Sequence, residues 1–280
     1  MARHSQTGVD VRTLPLPGEE RQAEEVRAGR GAGLDDWQCG GVRPHLPGGY
    51  PAPVDRSNDT DLAARTAGGR EWQNPSHAEA YRGAAPGIPH RVESEAAVRE
   101  CLPERVARVL DLGTGDGRLI VLVREARPGC AAVGVDFSEP MLGAARARFA
   151  GSPGVELVTH DLALPLPDLG RFDLVVSGFA IHHLEDPRKR AIYGEAHAAL
   201  LPGGRFLNLE HVASRTPALH SEFLAAIAHV EPGEDPSNRL IPVEDQLRWL
   251  EAAGFEDVDC HWKWRDLALL AARRPADRRP

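Results

Sequence analysis

Lysine is almost missing from this 280-residue chain: it occurs only at Lys189 and Lys263. A phosphate loop ending in Gly-Lys-Ser/Thr is therefore excluded. The basic residues are nearly all arginine, scattered among acids that outnumber them 41 to 33, and the formal net charge is −8. That balance argues against a dedicated nucleic-acid surface. Cysteine is sparse too: Cys39, Cys101, Cys130 and Cys260 lie far apart and form no C-x-x-C pair. A zinc ribbon and a redox dithiol are both excluded, and the plain reading is a reduced chain with ordinary thiols. No apolar run reaches the ~18 residues of a membrane span, and Met1-Ala2-Arg3-His4-Ser5 leads into no apolar signal core. The expectation is a soluble, cytoplasmic protein with no membrane partner. Aromatic residues make up only 5% of the chain, yet 42% of it is hydrophobic, enough for a substantial core.

The first 68 residues lack any sustained period of 3.6 or 2 and are dominated by Gly, Pro, Arg and Glu, so they read as a disordered extension. Gln22 to Arg30 can form a short exposed helix, and Asn58-Asp59-Thr60 matches a glycosylation sequon by chance. A regulatory tail and an upstream extension without any catalytic role are the two readings of this segment. Residues 69–280 form the folded domain. Within it, residues 69–102 carry two short helices, the first opening at Asn74-Pro75 and the second running from about Val92 to Cys101. They are placed to fold over a ligand as a cover, with Tyr81, His90 and Arg91 as its polar groups. Arg91 can pair with a ligand carboxylate, or simply start a solvated helix.

The chain is organised around Val109-Leu110-Asp111-Leu112-Gly113-Thr114-Gly115-Asp116-Gly117-Arg118. Its front half is an apolar β-run and its back half begins a helix, so the three glycines occupy the turn between them, where bare backbone can lie against a ligand. A dinucleotide loop wants glycine at position 118, which is arginine. Asp111 and Asp116 would also repel a pyrophosphate at the helix N-terminus. Two carboxylates around a glycine turn suit a ligand with positive charge and no phosphate, such as a sulfonium nucleoside with a free amino group.

A helix from Arg118 to about Ala126 follows, then the buried strand Ala131-Ala132-Val133-Gly134-Val135-Asp136. An acid at the end of the neighbouring strand is positioned to accept two ribose hydroxyls. Ser138 caps the next helix, with Pro140 in its first turn. The strand Val155 to His160 ends in Asp161-Leu162, a carboxylate and an apolar residue suited to an adenine. The next strand, Phe172 to Ser177, leads into Ile181-His182-His183-Leu184. Arg188 to Leu200 reads as a helix and Pro202-Gly203-Gly204 as a turn into the strand Arg205–Leu209. Thr216 to Val230 reads as an inserted helix and Val243 to Ala253 as the last helix. Phe255–Cys260 and Trp264–Ala271 read as a closing antiparallel pair.

Taken in register, the glycine loop, Gly134-Val135-Asp136-Phe137-Ser138-Glu139-Pro140-Met141-Leu142, His160-Asp161-Leu162, Phe172 to Ser177, Ile181 to Leu184 and Leu200-Leu201-Pro202-Gly203-Gly204-Arg205 resemble the class I S-adenosylmethionine-dependent methyltransferases. The resemblance spans roughly residues 72 to 273. It implies an α/β, Rossmann-like, seven-stranded, mostly parallel sheet with a reversed last strand and helices on both faces, and S-adenosyl-L-methionine as cofactor. Asp111, Gly113, Gly115 and Gly117 would lie under the methionine part. Asp136 would hold the ribose, and Phe137 and Met141 are further cofactor-binding candidates. Asp161 and Leu162 would face the adenine, Ser177 the sulfonium side, and Arg91 the cofactor carboxylate. A looser likeness, through the Pro-Gly break before the first long helix, is to the tRNA wobble-uridine carboxy-S-adenosylmethionine synthases.

The activity implied is methyl transfer to a small-molecule acceptor by in-line displacement. Two rivals stay open: a same-fold enzyme that modifies tRNA or uses the cofactor differently, and a non-catalytic binding paralogue. His182, His183, Glu210 and His211 fall at strand ends facing the crevice, so His182 or Glu210 in particular can act as base or orienting group. Alternatively, the paired histidines fix the loop after the fourth strand. None of these groups has a spacing diagnostic of a metal site. The insert at residues 212–242 is expected to shape the acceptor pocket. Trp262 and Trp264 either line an apolar part of that pocket or pack the sheet.

Overall fold

A computed structural model describes residues 68–228 and 235–277. The expectations for the N-terminal extension, Gly68 apart, lie outside the described residues. In chain order the elements are α1 (Pro75–Ala84), α2 (Arg91–Cys101), β1 (Arg108–Leu112), α3 (Arg118–Ala126), β2 (Ala131–Asp136), α4 (Glu139–Arg148), β3 (Val155–Thr159) and β4 (Phe172–Gly178). They continue with α5 (Asp186–Ala199), β5 (Leu200–His211), α6 (Pro217–Ile227), α7 (Val243–Ala252), β6 (Glu256–Trp264) and β7 (Leu267–Arg273). Short 3₁₀ turns lie at Gly68–Gln73, Ala85–Gly87 and Ile181–His183. No helix among the described residues is long and apolar enough to cross a membrane.

The seven strands form one sheet in the order β3-β2-β1-β4-β5-β7-β6. Pairing is parallel from β3 through β5, and β7 runs antiparallel to both β5 and β6. The expected fold, with its reversed last strand, is therefore borne out. Alternation along β1 divides the core between the two faces. Leu110 and Leu112 join the cluster containing Ile192, Tyr193 and Leu250 from α5 and α7. Val109 joins the cluster containing Val98, Ile120 and Val123 from α2 and α3. Each fully buried aliphatic side chain contributes about 1.5–3 kcal/mol, so both layers are anchored to the central strand.

Local chemistry explains most helix starts. Asn74 accepts from the Ser76 amide at 2.9 Å, and Pro75 occupies the first turn of α1. The Ser138 hydroxyl caps α4 at the Met141 amide, and that of Thr216 caps α6 at the Leu219 amide. Among the boundaries that differ from the sequence expectation, two reshape an element. Pro202-Gly203-Gly204 does not end a turn but sits within β5, where the register against β4 slips between Phe172 and Leu174. Trp264 closes β6 rather than opening β7, because the hairpin turn lies at Arg265-Asp266, with Arg265 at φ 50°.

The glycine loop is fixed by what surrounds it. Gly113 stands at φ 72°, and a Cβ there would come within 2.2 Å of the Ala180 Cβ. Gly143, in α4, has nothing within 4 Å of a Cβ. Gly113→Ala is accordingly expected to cost at least about 1–3 kcal/mol through strain and overpacking. Gly143→Ala should instead stabilise by roughly 0.5–1 kcal/mol. Urea unfolding of the two variants checks both signs.

Candidate functional site

The carboxyl ends of β1, β2 and β4 open onto a cavity of about 610 Å³, within the range of small-molecule sites. Its floor is the loop after β1. The amides of Gly113 and Thr114 both donate to the Val135 carbonyl at 2.9 Å, and the Gly115 amide donates to Asp136 Oδ2 at 2.8 Å. Asp136 Oδ1 accepts from the Ser138 amide at 2.8 Å. Burial raises the Asp136 pKa against these backbone hydrogen bonds, which pull it down. Each oxygen keeps a lone pair for a further donor.

Asp111 is the unusual group of the floor. It is 1% exposed, and Oδ2 accepts from the Thr114 hydroxyl at 2.7 Å while Oδ1 has no partner. Burial pushes its pKa up to about 7, and the Asp136 and Asp116 charges add to the effect. A buried acceptor oxygen in a cavity wall calls for a donor, and a cation would hold the carboxylate ionised. Asp116 also lines the cavity but is paired with Arg148.

Gly113, Gly115, Asp136, Phe137, Met141, Asp161 and Leu162 all line the cavity, as the sequence reading has them. Asp161 Oδ1 holds the Ala163 amide at 2.8 Å, which turns the chain under Leu162. Arg91 reaches the wall as well, but its Nε and Nη1 are engaged by Glu95 at 3.1 Å and the Ala85 carbonyl at 3.0 Å. Two expected contacts are corrected. Gly117 is absent from the lining: it lies at φ 83° with the Phe149 ring against it, a conformational requirement rather than a ligand contact. Ser177 is 1% exposed, and its hydroxyl donates to the Leu112 carbonyl at 2.8 Å, so strand alternation turns it into the sheet and away from the cavity.

The catalytic candidates divide unexpectedly. His182 and Glu210 do not line the cavity; they face each other in the interior with Nδ1 and Oε1 2.6 Å apart. Glu210 also accepts from Asn208 Nδ2 at 3.2 Å and the His211 amide at 3.0 Å. Burial pushes Glu210 up to about 7 and His182 down to about 3, so the interior holds a neutral imidazole against a fully bonded carboxyl. His182 therefore stands behind the cavity wall, bonded to Glu210. His183, one residue on, is the histidine that lines the cavity.

Other lining residues gave no sequence motif. Trp72 and Gln73 arrive from the segment before α1, which is tied down by Gln73 Nε2 donating to the Phe137 carbonyl at 2.7 Å. Phe179 enters at φ 52°, and Ser237 comes from the segment after α6. His90 and the two tryptophans of β6 stay outside. Trp264 packs on His90 at 4.6 Å and on Phe223 of α6 at 6.1 Å between ring centroids, so these rings seat α6 and the cover on the sheet.

Comparison with known proteins adds a family match, two relatives and two solved structures. The family described as a methyltransferase domain matches residues 109–204. Demethylmenaquinone methyltransferase of Roseiflexus castenholzii is 32% identical over 178 residues, covering 58% of this chain and 74% of that one. The enzyme of the same name from Thermus thermophilus is 43% identical over 117 residues, covering 41% of this chain, which spans only 51% of that protein's length. Among solved structures, an O-methyltransferase family protein from Burkholderia thailandensis superposes with a TM-score of 0.55 at 22% identity, covering 78% of this chain and 61% of that one. Human N-acetylserotonin methyltransferase in complex with S-adenosylmethionine gives a TM-score of 0.54 at 17% identity, over 78% and 66% of the two chains. These structural likenesses bear on the fold.

The buried pair supplies a direct check. His182→Ala leaves the Glu210 carboxyl without its imidazole and is expected to lower stability by roughly 2–3 kcal/mol in urea unfolding. Ligand affinity at the glycine loop should change far less than stability does.

Proposed function

This chain belongs to the class I S-adenosylmethionine-dependent methyltransferases, and from that premise we propose that it transfers the cofactor's methyl group to a small ring-bearing acceptor. The observation that carries the reading is the Asp111 carboxyl, buried at the cavity floor with one oxygen unpartnered. The amino group of S-adenosylmethionine is the donor it lacks. Asp136 has the free lone pairs to take two ribose hydroxyls, and Asp161 with Leu162 offers an acceptor and an apolar surface to the adenine. The residues present therefore fit the cofactor.

When bound, S-adenosylmethionine supplies an electrophilic methyl on a sulfonium. The chain's part is to orient the reactants and keep water out, which can provide much of the acceleration. The glycine loop fixes the amino-acid end through backbone contact. Trp72 and Tyr81 from the cover, with Phe179 and His183 from the loop after β4, give the cavity an aromatic side on which a planar acceptor can lie. Relatives named for demethylmenaquinone methylation support a quinone-like ring as that acceptor. The neighbouring insert supplies Ser237 and Arg239 to the same wall. Acids outnumber bases and leave no basic surface signature in the composition, which favours a small molecule over tRNA.

Calorimetric titration of S-adenosylmethionine and its demethylated product tests this. The intact protein is expected to bind both, and Asp136→Ala to bind neither; absence of binding by the folded wild type would sink the reading. The Asp111 pKa near 7 sets a pH dependence, because its ionised form is the one that pairs with a cationic amino group. Affinity should rise as pH increases through about 7, with uptake of the ligand releasing a proton. Asp111→Asn should remove that slope and bind roughly 10–100-fold more weakly, the worth of a charged hydrogen bond.

A further inference from the structure

The short turn Ile181–His183 sends its two imidazoles in different directions. His182 goes to Glu210 in the interior, whereas His183 forms part of the cavity wall. Its Nδ1 lies 2.8 Å from the Ser237 hydroxyl, which in turn lies 2.6 Å from Asp235 Oδ1. The same Asp235 oxygen accepts from the Ser237 amide at 2.8 Å. The protons of this chain can be counted. Two oxygens 2.6 Å apart need a hydrogen between them. Burial raises the Asp235 pKa, but the Ser237 hydrogen bonds lead the groups that outweigh it and the net shift is downward, so that hydrogen belongs to the serine. The serine oxygen must then accept from His183, which puts a hydrogen on Nδ1 and leaves the lone pair on Nε2.

We propose that His183 is the catalytic base of this site, accepting through Nε2 the hydroxyl proton of a phenolic or enolic acceptor, with Ser237 and Asp235 as positioning residues that fix its tautomer. The inference rests on the methyl-transfer reading and narrows it to acceptors that must lose a proton. The balance closes without any further reactant. The acceptor O–H bond breaks and its proton goes to Nε2. The electron pair freed in the acceptor forms the new bond to the methyl carbon, and the C–S bond breaks with its pair returning to sulfur. The positive charge of the sulfonium thus reappears on the imidazole, where Asp235 faces it through Ser237. The arrangement follows the logic of a nucleophile's base held by a third group.

Several elements set the charge around His183. Its own turn brings the His182 ring to 4.0 Å, β5 brings Glu210, and the segment after α6 brings Asp235. Glu185, Arg188 and Arg239 line the same cavity. Burial and His182 hold His183 down to about 3, while Asp235 and Glu210 pull upward. Burial thus keeps the imidazole neutral, with the Nε2 lone pair free, and the Asp235 and Glu210 charges favour the imidazolium once it takes up a proton.

The test uses the full chain in two arms. With ¹⁵N-labelled histidine, long-range nitrogen–proton NMR is expected to show His183 as the Nδ1–H tautomer, and Ser237→Ala to convert it to a mixture. An Nε2–H tautomer in the wild type overturns the proposal. In the second arm, radiolabelled methyl transfer is followed to 1-naphthol, protonated at neutral pH, and to 4-nitro-1-naphthol, which is largely ionised there. His183→Gln should lower kcat on the first probe by roughly 100- to 10,000-fold and on the second far less, with cofactor affinity unchanged. Asp235→Asn should lower kcat to a smaller degree and move the acidic limb of the pH profile to lower pH, because the imidazolium loses its counter-charge. Equal losses on both probes overturn the base. Failure of the wild type to methylate either probe while it binds S-adenosylmethionine overturns the acceptor class, and failure to bind the cofactor removes the underlying reading instead.

Discussion

The carboxylate of Asp136 ties three parts of the chain together. One oxygen holds the glycine loop through the Gly115 amide, and the other holds the Ser138 amide at the start of α4. Ser138 in turn donates its hydroxyl to the Trp72 carbonyl, so the segment that leads into the cover is fastened to the same point. A buried carboxylate is costly unless hydrogen-bonded, and here the bonds that meet that cost also set the floor and one wall of the cavity. Losing this group would disconnect the cover as well as remove a ligand contact.

The charges around the cavity are arranged so that a cation with several hydroxyls is welcome and a phosphate is not. Acids stand on the floor at Asp111, Asp116 and Asp136, while the arginines of the wall are largely committed to partners. Arg91 and Arg118 share Glu95, and Arg188 is held by Glu195. Behind the wall Glu210 is bonded to His182, Asn208 and the His211 amide, while Asn208 Oδ1 and His211 Nε2 stay without partners. The Glu210 carboxyl on the His182 ring and the Arg239 amide on the His182 carbonyl hold the histidine turn in one conformation.

Much of the fold was legible because its signals are local. Strand ends carrying Asp111, Asp136 and Asp161, caps at Asn74 and Ser138, and the three glycines before α3 each declare themselves within a few residues. What escaped depends on direction or on distant chain. Whether His182 or His183 faces the ligand is decided by one turn of 3₁₀ helix, and the two share the same motif. Ser177 turns from the cavity because its hydroxyl bonds the Leu112 carbonyl of the neighbouring strand, a contact no local motif declares. The partner of His183, Ser237, lies 54 positions away in an insert without a pattern of its own. The tryptophans of β6 were ambiguous for a different reason: their face is set by the register with β7, which the spacing of a hairpin does not fix until its turn residues are known.

Phe179 has a consequence for how such a site can change. Its backbone lies in the left-handed region that glycine or asparagine would occupy at less cost, roughly 1 kcal/mol for an aromatic residue, yet its ring lines the cavity. Selection for heat resistance alone would therefore push this position toward a smaller residue, whereas selection for turnover would hold the ring in place.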